Sequence, residues 1–492
     1  MAHFQYAVTL LSSVFLSGTC VAQTPGREPS IQERIAGLVN PPTGAWTTEQ
    51  IAAMQRIRGV ALSDRYVLEM LRHLTDNIGP RIAGSAQAER AVEFVAQQMR
   101  AAGADVRLEN VDVPHWVRGV ESGELVQWIG QAPGTTQKVV LTALGGSIAT
   151  PPEGLTADLL VVNSFPDLKQ LADGSVKGRV VLFNQPFDKQ LAEQGHSLDA
   201  YEQSVLYRSA APIVAGSLGA AAVLIRSVGS AEYRLPHTGA TYYAPDIPRV
   251  PAAAITAEDA DLLANLAGQG SVRIHITLTP QSLPRTQSHN VIADWKGREH
   301  PEEIVIVSGH LDSWDLGTGA LDDGVGVAVS MEVIHVLQQL SVHPRRTIRF
   351  IAWMNEEMGL DGSRAYAAAH APDFSNHVAA VESDLGSGHP LGITYVGKLE
   401  LGEWLRPLVP VLKPIGATVL TRGDEAGSDI VALTEKGIPG FTPTVDDRRY
   451  FDYHHTAADT FDKVTPRELN ENAAVVAVLA YALADSAARA PH

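Results

Sequence analysis

Residues 302–326, EEIVIVSGHLDSWDLGTGALDDGVG, decide the fold. Ile304–Val307 is an unbroken run of β-branched residues and reads as a buried strand. It delivers His310 into a loop, with Asp312 two residues later and Asp322 just ahead of an apolar helix spanning Gly324–Leu340. Strand, loop and helix in that order form one unit of an open α/β sheet. In such a sheet the loops at the carboxyl ends of the strands converge on one crevice, and ligands bind there.

The same arrangement recurs downstream. Thr347–Trp353 runs into Glu356 and Glu357, Val378–Val381 runs into Asp384, and His454 and His455 follow later. With a further strand at Asn290–Trp295 and helices at Ser363–His370 and Leu469–Ser486, residues 286–492 predict a mostly parallel sheet flanked by helices. Residues 23–119 supply an N-terminal arm and the first part of this layer. Helical spacing of Val67, Met70, Leu71 and Leu74, and of Ala91, Phe94, Val95 and Met99, precedes a first strand at Val106–Val113. Residues 23–60, polar and carrying Pro25, Pro29, Pro41 and Pro42, read as a loosely ordered arm.

Residues 120–285 differ in character. Short apolar runs (Val139–Leu144, Leu159–Val162, Val180–Phe183, Ala221–Ile225, Val272–Leu278) alternate with Gly and Pro, and one helical stretch spans Ile213–Gly219. We read an inserted, largely β domain. With few paired acids or histidines, it is expected to affect substrate choice more than metal binding.

A chain of 492 residues exceeds one ordinary core, and 45% hydrophobic residues is the level of a soluble globular protein. The formal charge of −17 excludes the basic footprint that nucleic acid requires. Residues 1–22 read as a signal peptide, apolar from Tyr6 to Gly18 and ending at Ala22. The expected destination is the periplasm or the medium, with no membrane anchor in the mature form. Cleavage there removes Cys20, the only cysteine, so no disulfide is expected.

Taken singly, these residues have bland explanations. A loop histidine near an aspartate is usually solvated, and an aspartate before a helix is usually its N-cap. Taken together they do not, because two histidines, three carboxylates and a spare glutamate suffice for two zinc ions sharing a bridge. Of the adjacent pair Glu356 and Glu357, one can bind metal while its neighbour acts as general base.

The stretches GHLDSWDLGTGALDDGVG, RRTIRFIAWMNEEMG, VESDLG, GSDI, KGIPG and HHTAADT, with IGPRIAGS at residues 78–85, resemble the co-catalytic zinc exopeptidases. That family includes secreted bacterial aminopeptidases and glutamate carboxypeptidases. The resemblance implies two zinc ions, with Asp322 bridging, His310 and Asp384 on one ion, and Glu357 and His455 on the other. It further implies Glu356 as general base, Asp312 as the acid that orients His310, and a protease-associated-type insert. His454 stands where many relatives place a tyrosine that stabilises the oxyanion, which suggests that role for it. The implied substrate is a dipeptide or short peptide, and the implied assembly a homodimer. An aminopeptidase on longer peptides is the alternative; a receptor-like relative without catalysis should have lost ligands or base, and none is lost here.

Overall fold

The computed structural model describes residues 46–491. The leader at 1–22 and the arm up to residue 45 lie outside the described residues. Its main helices are α1 (Thr48–Ala61), α2 (Ala86–Ala101), α3 (Ser197–Ser217), α4 (Ala257–Gln269), α5 (Val325–Gln339), α6 (Asp361–His370) and α7 (Pro466–Asp485). The strands begin with β1 (Asp105–Val117), β2 (Glu121–Gln127), β3 (Gln137–Val139), β4 (Leu141–Ala143), β5 (Leu155–Val162), β6 (Val180–Phe183), β7 (Ala222–Arg226), β8 (Ala252–Ile255) and β9 (Arg273–Leu278). They continue with β10 (Gln281–Trp295), β11 (His300–His310), β12 (Arg346–Trp353), β13 (His377–Glu382), β14 (Pro390–Val396), β15 (Val419–Arg422) and β16 (Gly440–Val445).

Two eight-stranded sheets result. The first runs β1-β10-β12-β11-β13-β16-β14-β15. Its centre, β12-β11-β13-β16, is parallel throughout, while β1, β10 and β14 pair antiparallel with their inner neighbours. From β11 the chain steps to one side for β12 and then to the other side for β13. The strand order therefore reverses at β11, and a crevice opens at the carboxyl end of such a strand. All eight residues of β12 and all six of β13 are buried, the signature of strands covered on both faces.

One face is covered by α5 and α7. In α7 sixteen residues are buried, from Leu469 to Asp485. Against it packs α1, contrary to the loose arm expected for residues 23–60. Met54, Ile57 and Ala61 are fully buried, the Trp46 indole donates to the Ala482 carbonyl at 2.9 Å, and Thr47 and Gln50 form a capping box. Thr-x-x-Gln ahead of helically spaced apolar residues is a start signal that the surrounding prolines masked.

The second sheet, β3-β2-β9-β5-β6-β7-β8-β4, is built wholly from residues 121–278. It is α/β and not largely β: β5, β6, β7 and β8 pair parallel, with α3 and α4 alongside. The helical stretch foreseen at 213–219 is the tail of the 21-residue α3, whose polar first half and internal Pro212 blur its apolar spacing. Trp314, from the loop after β11, is buried in the core of this second sheet, lying so close to Gly145 that a Cβ there would come within 1.9 Å of the indole. Arg118 and Asp315 lock the same junction with hydrogen bonds of 2.7–3.0 Å.

Candidate metal centre

The loops after β11, β12 and β13 and the segment after β16 bring the acids and histidines together. His310, the last residue of β11, has Nε2 3.1 Å from Asp322 Oδ1 and 3.4 Å from Asp384 Oδ1. On the opposite side, Asp322 Oδ2 lies 3.1 Å from His455 Nε2, which is itself 3.0 Å from Glu357 Oε2. Two donor triads emerge, His310/Asp322/Asp384 and Asp322/Glu357/His455, each with its ligand atoms within 4.8 Å of one another. Asp322 belongs to both and turns one oxygen to each.

Several backbone devices fix this geometry. Asp459 takes the amides of Ala320 and Leu321 on one oxygen (3.0 and 2.7 Å) and that of Asp322 on the other (3.2 Å), holding the loop of the shared carboxylate. Asp323 accepts from the His310 amide at 3.0 Å and from the Gly326 amide at 2.9 Å, tying the end of β11 to the start of α5. Gly326 is required there, since a Cβ would lie 1.9 Å from the Ser383 carbonyl. Arg81, fully buried, donates to the carbonyls of Leu311, Thr318 and Gly319 at 2.7, 2.7 and 2.8 Å. It stands in the IGPRIAGS stretch, where the sequence assigned it no role.

Asp312 acts differently from the expectation. The His310 Nδ1 contact is to its main-chain carbonyl at 3.0 Å, with the nearer carboxylate oxygen at 3.8 Å. That oxygen is taken by the amides of Asn355 and Glu356 (2.7 and 3.1 Å), so the side chain sets the turn that projects Glu356 and Glu357. Asp322 makes no capping bond to α5, and the first-turn amide of Gly326 is taken by the Asp323 carboxylate instead.

The electrostatics call for a cation. Among the described residues no Lys or Arg forms an ion pair with Asp322, Asp384 or Glu357, and the buried Glu357 Oε1 accepts no hydrogen bond. Burial and the Asp322 charge push Glu357 up to about 7. Burial, followed by charge repulsion from Asp384 and Glu357 against partial relief by His310, holds Glu356 well above the usual carboxylate range. Burial opposes the charged form of His310, yet Asp384 and Asp322 outweigh it and hold the imidazole well above its ordinary value. Buried charges persist only when paired or bound to metal. Three carboxylates and two imidazoles, divided between two triads, suit a pair of zinc ions. Glu356 belongs to neither triad.

Sequence reasoning missed a contribution from residues 121–278. His237, fully buried, places Nε2 3.0 Å from His454 Nδ1. The His455 Nδ1 and Arg208 Nη1 both approach the Thr238 carbonyl, at 3.3 and 3.4 Å, and the Thr238 amide donates to the His455 carbonyl at 2.9 Å. His455 itself has φ +57°, a left-handed conformation uncommon for non-glycine residues, and these contacts help hold it. His237, His454 and His455 form a third cluster of potential ligand atoms. The Arg208 guanidinium, 3.3 Å from His455 Nδ1, makes that cluster a poor home for a cation. His454 stacks on His455 at 3.7 Å and points Nε2 towards Asp322 Oδ2, 3.4 Å away.

The family model of peptidase family M28 matches residues 290–480. The chain is 38% identical over 420 residues to carboxypeptidase Q of Bos taurus and 37% identical over 420 residues to that of Homo sapiens, each alignment covering 85% of both chains. A crystal structure of a peptidase M28 precursor from Shewanella amazonensis SB2B superposes with a TM-score of 0.85 at 34% identity, over 90% of this chain and 98% of that one. A zinc aminopeptidase from Bacillus subtilis shares the fold at a TM-score of 0.61 and 23% identity, over 87% of this chain and 96% of that one.

Proposed function

The chain belongs to peptidase family M28, and from that premise we propose that it hydrolyses dipeptides and short peptides at a two-zinc centre. As a member of that family with carboxypeptidase Q relatives, it is a zinc-dependent exopeptidase. The observation that carries the two-zinc reading is the pair of donor triads sharing Asp322. His310 and Asp384 would hold one ion, Glu357 and His455 the other, and Asp322 would give one oxygen to each.

When bound, the zinc pair lowers the pKa of a water towards ~7 and polarises the scissile carbonyl. Glu356 takes the proton of the attacking water and hands it to the departing amine, a role suited to a carboxylate whose proton affinity burial has raised. Asp312 holds the Glu356 amide and the His310 ring, keeping base and ligand in register. His454 offers Nε2–H to the oxyanion that develops as the carbonyl is attacked. Residues 120–285 act as a protease-associated-type insert walling the site. Export rests on the leader read at 1–22 and a homodimer on family likeness; among the described residues no helix is long and apolar enough to cross a membrane.

A second reading, an aminopeptidase on longer peptides, draws support from a groove of about 980 Å³ lined by Leu321, Leu385 and Tyr450, beside the loops of Asp322 and Asp384. Free, N-acetylated and C-amidated dipeptides separate the two. The carboxypeptidase-type reading expects hydrolysis of free dipeptides and loss on amidation. Loss on acetylation alone favours the aminopeptidase, and cleavage of doubly blocked peptides contradicts both.

A further inference from the structure

We propose that His237 is a positioning residue that fixes the tautomer of His454, so that His454 presents an Nε2–H to the reacting carbonyl. This inference rests on the reading of His454 as the oxyanion donor. His237 lies in the loop between β7 and β8, more than two hundred residues from His454 in sequence, yet their ring nitrogens meet at 3.0 Å. Its backbone is pinned by its own amide donating to Ser227 Oγ at 2.9 Å. Its ring rests against Gly229, where an added Cβ would lie 3.0 Å from Cδ2. The far nitrogen, Nδ1, is buried and makes no hydrogen bond of good geometry.

Only one proton can occupy the contact between His237 Nε2 and His454 Nδ1. If His454 donated it, a neutral His237 would carry its proton on Nδ1, leaving a buried donor with no acceptor in good geometry. Orphaned buried N–H groups are rarer and costlier than under-used acceptors. If His237 donates, its Nδ1 is merely an unused acceptor, and His454 carries its proton on Nε2, facing the site. The His454 ring plane is already set by stacking on His455 and by the edges of Tyr201 and Phe451. What His237 adds is the placement of the proton.

The test compares zinc-loaded His237→Leu, His237→Gln, His237→Asn and His454→Ala, reading kcat, KM and zinc content on a free dipeptide. A Gln amide nitrogen overlays imidazole Nε2, whereas an Asn amide nitrogen overlays Nδ1 and cannot reach His454. His237→Leu is expected to lose ~10-fold in kcat, the low end of the cost of removing an orienting partner, with KM and zinc unchanged. Gln should restore kcat to within roughly threefold of wild type while Asn stays slow. Adding His237→Leu to His454→Ala should cost nothing more. Wild-type kcat in His237→Leu beside a slow His454→Ala overturns the inference alone, as does zinc loss in His237→Leu. Full turnover in His454→Ala overturns the underlying oxyanion reading. Should His237→Leu fail to fold, equal kcat in Gln and Asn overturns the proposal.

Discussion

Residues 300–459 and residues 121–278 meet at the same two histidines, yet they bring opposite kinds of group. The first stretch supplies every carboxylate and both imidazoles of the two donor triads, from loops at the ends of parallel strands. The second supplies no member of either triad. It brings an imidazole, a guanidinium and a main-chain carbonyl, which touch His454 and His455 from outside. A metal centre needs both, because ligands bind well only when their remaining hydrogen bonds are fixed. The expectation that the insert affects substrate choice more than metal binding takes no account of these contacts to His454 and His455, which tertiary packing alone creates.

The largest effect that would break this comparison lies in the ligand-bearing stretch. Asp322→Asn should empty both positions, since one residue faces both triads, and turnover should fall to background. Loss of only one zinc per chain, measured by elemental analysis, would mean Asp322 does not bridge. Glu356→Gln should keep its zinc while kcat drops ~10²–10⁴-fold, the usual contribution of a general base. If this variant loses zinc and Glu357→Gln keeps it, the two roles are exchanged.

A smaller effect is expected from the other region. Gly239 has φ +136°, and a Cβ there would meet the Arg208 guanidinium at 2.4 Å. Gly239→Ala should push Arg208 away from His455 and lower kcat/KM ~10-fold, as loss of an outer partner typically does. Wild-type kcat/KM would show that the contacts from residues 121–278 are idle.

The smallest effect tests a cost inside the ligand-bearing half. Glu332 of α5 is fully buried, and no hydrogen bond of good geometry reaches either oxygen. Burial, then the Asp64 charge, raises it from 4.5 to about 9. The unfolded chain loses this proton first, so the cost is absent below about pH 4.5 and grows as pH rises from there to about 9. Glu332→Gln should unfold at higher temperature than wild type at pH 8, with the gap closing near pH 5. A gap that does not change with pH would assign the difference to packing.

The first region was legible because its chemistry is local. His310, Glu357 and Asp384 each stand within a few residues of an apolar run, so their strand ends could be read directly. The choice between Glu356 and Glu357 came from family likeness, because adjacent residues share one local pattern. His237 and Arg208 left no such trace. One sits in a loop without regular structure and the other in a helix whose internal Pro212 and polar residues obscured it, and only tertiary packing brings them to the site. The short strands β14, β15 and β16 were missed, since four to seven residues with mixed burial give little periodic signal.

The central claim is that two zinc ions share Asp322, and metal stoichiometry tests it most directly. Apo-protein prepared with chelator should be inactive on a free dipeptide. Titrated with zinc, it should regain full activity only as about two ions bind per chain, the number that the paired donor triads accommodate. Full activity at one ion per chain, with no second ion bound at saturation, would contradict the account.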